Sequence, residues 1–269
     1  MASVRPAAIA GRFYPGEADA LARSIDTLLA AAKVETNAAV PKAIIAPHAG
    51  LIYSGPIAAS VYARLASARD RIKRVVLLGP THRVAVYGMA LPGADAFATP
   101  LGTVPVDQAA AKQLMKLPYV THNAEAHRLE HSLEVQLPFL QKVLDAFTLV
   151  PLAVGRASAQ QVADALDLLW GGDETLIVIS SDMSHYLPYA DACAVDSATA
   201  RAIVELSTDI NHLQACGATP VTGLTLLAQR RGLNPSLVDL RNSGDTAGDK
   251  SRVVGYASFA FHEPALPTH

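Results

Sequence analysis

Apolar positions fall in blocks along this chain. Residues 43–47, 74–82, 147–155 and 175–182 carry short runs of Val, Ile, Leu and Ala bounded by Gly, Pro or polar residues. Continuous runs of that length predict strands buried on both faces. Between them the period changes. In residues 17–33, Leu21, Ile25, Leu28 and Leu29 share one helical face. Further helices are predicted at 56–68, with Pro56 in its first turn, and at 107–117, with Asp107 as N-cap. Others are predicted at 130–147, bent at Pro138, and at 158–170, about 191–206 and 219–231. The Gly- and Pro-rich stretch 86–106 reads as short strands and loops, and strands at about 236–241 and 252–261 add an antiparallel edge. Repeated strand–helix alternation predicts an α/β fold: a single domain over 1–269, with a mostly parallel central sheet flanked by helices.

Composition narrows the class. Of 269 residues, 51% are hydrophobic and 17% charged, which supplies a substantial core and leaves no tract with the make-up of disorder. A formal charge of -2 gives no electrostatic footprint for nucleic acid. The basic run "RDRIKR" (69–74) reads as a solvated helix end. No window reaches the ~18 consecutive apolar residues of a membrane span, and "MASVRPAAIAGRFYPGE" lacks the apolar run of a secretory signal. Cys193 and Cys216 are too few for a disulfide framework. The expectation is a soluble, cytoplasmic protein with neither nucleic-acid nor membrane partners.

Chemistry concentrates where the apolar runs stop. In a parallel sheet, ligands bind beyond the carboxyl ends of the strands. The run at 43–47 ends in His48, that at 75–79 is followed by His82, and that at 175–180 by Asp182 and His185. Any one of these reads as a turn histidine; three at equivalent positions point to a shared site. "EAHRLEHSLEVQLPF" adds His127, Glu130, His131 and Glu134. His127 and His131 would share a face on a continuous helix, but His127 also suits an ordinary helix start. His131 and Glu134 adjoin "VQLPF" and are expected to line the pocket. Cys216 precedes a predicted helix start, where the dipole favours a thiolate. Cys193, inside an amphipathic helix, reads as a small hydrophobe. His212, His262 and His269 are assigned no role.

Six ordered segments carry a resemblance: "APHAGLIYSG", "LLGPTH", "EHSLEVQLPFL", "SSDMSHY", "ACGATP" and "GDKSRVVGYASFAF". Together they resemble the Memo family, whose bacterial members are often called AmmeMemoRadiSam system protein B, from "GRFYPG" (11–16) to "VVGYASFAF" (253–261). The resemblance implies the fold of class III extradiol dioxygenases, non-haem Fe(II) enzymes that hold metal with two histidines and a carboxylate. It matches His48 and His82 to the two histidines, Cys216 to the third ligand position, and His185, beside Asp182, to the acid/base histidine. It also implies association with AMMECR-type and radical SAM proteins.

Two imidazoles and a thiolate suit Fe(II), with copper or zinc as alternatives, and disfavour Mg and Ca. Three functions compete. The first is a redox, dioxygenase-like metalloenzyme acting on a small molecule. The second is a non-catalytic protein that binds a peptide or partner in the same pocket, where Arg83 and Arg128 could meet an anion. The third is a zinc-dependent hydrolase.

Overall fold

The computed structural model describes residues 3–34 and 39–264; His269 lies outside them. In chain order the elements are β1 (Val4–Arg5), α1 (Ala18–Ala31), β2 (Ala43–Ala46), α2 (Leu51–Tyr62), β3 (Arg74–Pro80), β4 (Met89–Leu91), β5 (Ala96–Thr99) and β6 (Gly102–Pro105). They continue with α3 (Gln108–Leu114), β7 (Val120–His122), α4 (Ala124–Arg128), α5 (Leu137–Val143), β8 (Thr148–Val154), α6 (Ala159–Leu168) and β9 (Thr175–Ser180). The last are β10 (His185–Leu187), α7 (Tyr189–Val204), α8 (Ala218–Arg231), β11 (Asn234–Asn242), α9 (Ser243–Thr246) and β12 (Val253–His262).

The four apolar runs form the centre of the main sheet, in the order β2-β9-β3-β8, all parallel. Apart from the first residues of β3 and β8, these strands are buried throughout, as their unbroken hydrophobicity requires. The sheet is more mixed than expected. β12 runs antiparallel to β2 and carries β11 and β10 on its other side, while β4 runs antiparallel to β8. The C-terminal pair thus extends the sheet, as expected, with β11 and β10 outermost. A smaller sheet, β1-β5-β6, takes up part of the Gly- and Pro-rich stretch.

Each sheet face has its own apolar layer. One includes Leu21 and Ile25 of α1, Ala58 and Tyr62 of α2, and Phe139 and Leu140 of α5. The other includes Ala110 of α3, Val162 and Leu166 of α6, Ile203 of α7 and Leu224 of α8. Helices on both faces of a parallel core are what places ligands at the strand ends. None of the described helices is long and apolar enough to cross a membrane.

Two helices depart from the expected boundaries. α2 begins at Leu51, so Pro56 lies inside it, not in its first turn. Packing overrides the lost hydrogen bond: a Cβ at Gly55 would lie 2.8 Å from Leu28, so α2 approaches α1 closely. The helix expected over 130–147 is broken. Residues 130–133 are irregular, Glu134–Gln136 form a 3-10 turn, and α5 starts at Leu137 with Pro138 in its first turn, where no donor is lost. Hydrophobic periodicity alone does not distinguish that turn from a helix.

Candidate metal centre

Three adjacent parallel strands present the site. His48 follows β2, Asp182 follows β9 between them, and His82 follows β3. The irregular segment before α5 brings His131 over the same strand ends, where Ser132 donates its hydroxyl to the Pro80 carbonyl at 2.9 Å. Gly79 permits that approach, because a Cβ there would meet Ser132 Oγ at 2.8 Å.

His48, His82 and His131 converge. Each offers a nitrogen, and the three atoms lie within 4.8 Å of one another, a set able to hold a metal ion. Ring centroids are 5.3 Å apart for His48 and His82, 5.4 Å for His48 and His131, and 4.5 Å for His82 and His131.

Hydrogen bonds fix which nitrogen of each ring is free. Ser180 Oγ donates to the Ser132 carbonyl at 2.6 Å, so it accepts from His48 Nδ1 at 2.9 Å and from Gln136 Nε2 at 2.7 Å. His48 Nε2 therefore carries a lone pair. Glu130 Oε1 accepts from His82 Nδ1 at 2.8 Å and pairs with His131 Nδ1 at 3.2 Å, which frees both of their Nε2 atoms. Imidazoles whose other nitrogen is tied to an oxygen are the usual form of metal-binding histidine.

Charge is arranged to match. Burial pushes His48 down to about 3, against the opposing pull of Asp182, so the ring is neutral and ready to donate its lone pair. Burial works against a charge on Glu130, but hydrogen bonds from His131 and His82 hold its carboxyl well below the usual range. Its Oε2 also accepts from the His82 backbone N–H at 2.6 Å, and Oε1 from the N–H groups of His131 and Ser132 at 2.9 and 3.0 Å. Sequence pattern places Glu130 in the histidine segment and assigns it no role. Its position directly before His131 was the available signal.

Cys216 adjoins the three imidazoles through His48, with Sγ 3.3 Å from His48 Nε2. The Asp182 N–H donates to Sγ at 3.3 Å, and the Cys216 N–H donates to the Asp182 carbonyl at 3.2 Å. Burial, with the Asp182 charge second, pushes the thiol up to about 12. The dipole of α8 does not overcome that desolvation, so the thiol stays protonated until a cation displaces its proton. Gly217 makes the contact possible: a Cβ there would lie 2.7 Å from Ser181 Cβ and 2.9 Å from the Ser180 carbonyl. Gly217→Ala is expected to destabilise the fold by about 1–3 kcal/mol through this overpacking, a loss that urea unfolding would register; wild-type stability would show that the strand end yields freely.

Asp182 accepts the His48 backbone N–H at 2.7 Å, and its Oδ2 stands 3.9 Å from His48 Nε2. His185 opens β10, where its Nδ1 donates to the Met183 carbonyl at 2.9 Å. The next residue, Tyr186, holds a left-handed φ of 61°, a conformation uncommon for a bulky residue and often found at functional sites. Asp182, His185 and His131 line one cleft of about 530 Å³ together with Arg12, Tyr53 and Arg252. A volume of that order accommodates a small organic molecule.

The remaining expected residues separate. Glu134 faces the N-terminal segment: its carboxylate pairs with Arg5 and accepts from the N–H groups of Ala8 and Ile9 and from the Tyr14 hydroxyl. His127 is a core residue, its Nε2 bonded to the Ala90 carbonyl at 2.8 Å. Because α4 ends at Arg128, His127 and His131 do not share a helix face. Arg128 is exposed and paired with Glu125. Cys193 accepts from Asn242 Nδ2 at 3.5 Å.

Comparison with known proteins agrees over nearly the whole chain. The profile of the family described as Memo-like protein matches residues 5–260. A MEMO1 family protein from Aquifex aeolicus is 38% identical over 273 residues, covering 96% of this chain and 99% of the relative. Another, from Ignicoccus hospitalis, is 35% identical and covers 97% of this chain and 99% of its own. The crystal structure of the uncharacterized protein JW3007 from Escherichia coli K12 superposes with a TM-score of 0.55 over 80% of this chain and 98% of that one. At 15% identity the likeness is one of fold.

Proposed function

The chain belongs to the Memo family, and from that premise we propose that it is a metal-dependent redox enzyme of dioxygenase type. The observation that carries the reading is the convergence of three lone-pair nitrogens at the carboxyl ends of adjacent parallel strands. His48 and His82 are the constant members of the ligand set. Cys216 is the sulfur ligand on the His48 side, and His131 is the further nitrogen. A donor set of imidazole and thiol suits Fe(II) first and copper or zinc next, and not Mg or Ca. Such a metal would supply redox and Lewis-acid chemistry at the strand ends.

The protein groups divide the remaining tasks. A small-molecule substrate enters the 530 Å³ cleft. His185 Nε2 takes a proton from the substrate and later returns it, because its Nδ1–H is already committed to Met183. Asp182 holds the His48 backbone and places a carboxylate in the same cleft, where it favours proton release toward His185. Glu130 keeps two imidazoles in their metal-binding tautomer. Association with AMMECR-type and radical SAM proteins, carried by the family resemblance, belongs to this proposal as well.

Elemental analysis of protein purified without oxygen tests the site. Near-stoichiometric metal is expected in the native chain, with loss in His48→Ala and His82→Ala and reduced retention in Cys216→Ala and His131→Ala. Metal retained equally in all four variants would refute the ligand set. Oxygen uptake over a panel of catechols then separates an enzyme from a binding protein. Iron-loaded protein with no turnover would leave the peptide-binding reading, and turnover with zinc in the absence of oxygen would favour the hydrolase.

A further inference from the structure

The metal-site residues open onto a second cleft, of about 360 Å³, lined by His82, Cys216, Arg83, Tyr87, Arg156 and His212. Its lining contains Arg83 and Arg156 and no acidic residue. Among the described residues, neither Arg83 nor Arg156 forms an ion pair with an acid. The substrate cleft differs, because there Arg12 and Arg252 share the lining with Asp182 and Asp249.

The arginine-bearing segments are held together by backbone. The Arg156 N–H donates to the Val86 carbonyl at 2.8 Å, the Gly88 N–H to the Arg156 carbonyl at 2.9 Å, and the Gly155 N–H to the Gly88 carbonyl at 3.0 Å. Both glycines are required. A Cβ at Gly155 would lie 2.1 Å from the Val86 carbonyl, and Gly88 has a φ of +83° with Tyr119 against it. The Arg156 guanidinium lies 5.6 Å from the centroid of the Tyr87 ring, which is 77% exposed. His212 Nδ1 bonds to the Cys216 carbonyl at 3.1 Å and Nε2 to Thr219 Oγ1 at 3.1 Å, which orients the ring beside the thiol-bearing segment.

We infer that this second cleft is a binding site for a small oxyanion-bearing molecule, a carboxylate or a phosphate, received by Arg83 and Arg156. Two guanidiniums without acidic partners offer bidentate donors whose charge is not already neutralised. The site is separate from the substrate cleft, yet it reaches His82 and Cys216, so a bound anion stands on the cysteine side of the metal centre. Anion capture by the arginines does not require the metal.

Isothermal titration with sodium phosphate and with sodium benzoate, at constant ionic strength, tests the inference on protein as purified and after chelator treatment. At least one anion is expected to bind one-to-one in both preparations, and the one that binds identifies the class. Arg83→Gln and Arg156→Gln should each weaken binding by about tenfold, while the double variant Arg12→Gln/Arg252→Gln leaves the affinity unchanged. All four arginines are exposed, and thermal melts will verify that the variants fold. The inference is overturned if neither anion binds, if Arg83→Gln and Arg156→Gln bind like the native chain, or if the loss follows Arg12 and Arg252. Persistence of binding after metal removal separates its fate from that of the metal reading.

Discussion

Glu130→Ala should lower metal affinity by about 10- to 100-fold, toward the upper end of what loss of an outer hydrogen-bond partner costs a metal site. The size of the effect follows from geometry. One buried carboxylate meets the Nδ1 atoms of both His82 and His131, and it accepts three backbone N–H groups, those of His131 and Ser132 in its own turn and that of His82 beyond β3. Alanine leaves those donors without their acceptor and frees two rings to adopt either tautomer or to rotate. Glu130→Gln keeps an acceptor oxygen but loses the charge, and should fall between alanine and the native chain. Chelator competition on anaerobically loaded protein, alongside circular dichroism to establish folding, measures the difference. Native-like affinity in a folded Glu130→Ala protein would show that the imidazoles are placed by packing alone.

The same residue marks the limit of what sequence pattern could reveal. His48, His82 and Asp182 were legible because a both-faces-buried strand announces itself by its apolar run, and a parallel sheet directs its carboxyl ends to one place. The α/β class was legible for the same reason. The turn before α8 singles out Cys216, which lies beside His48, although burial and not the helix sets the state of its thiol. The approach of His131 to the other imidazoles was not legible. It depends on an irregular segment that has the apolar spacing of a helix, and a helical reading pairs His131 with His127. The role of Glu130 was not legible because it is set by hydrogen bonds to His82, 48 residues away in the chain. Gln136, which donates to Ser180 Oγ and to the Pro47 carbonyl and accepts from the Tyr62 hydroxyl, left no local signal at all.

Glu134→Ala should destabilise the protein by about 3–5 kcal/mol, the cost of removing one partner from a buried ion pair. Arg5 and Glu134 are both buried, and the Arg5 guanidinium has its other donors on the backbone carbonyls of His127 and Glu130. Without the carboxylate, a buried charge is left uncompensated, and the Ala8 and Ile9 N–H groups and the Tyr14 hydroxyl lose their acceptor. The consequence extends to the site. The segment anchored by Glu134 continues into Arg12 and Phe13, which line the 530 Å³ cleft beside His131; the Phe13 ring lies 4.9 Å from that of His131, and the Phe13 carbonyl accepts the Leu51 N–H at the start of α2. Glu134→Ala should therefore combine a large loss in urea unfolding free energy with increased proteolysis near residues 3–16, while metal affinity falls less than in Glu130→Ala. Glu134→Gln, which retains the acceptor oxygen, should recover part of the stability. The opposite ranking, with metal affinity lost and stability kept, would place Glu134 at the metal pocket, as its neighbourhood to His131 in the sequence suggests, and would remove it from the anchor of the N-terminal segment.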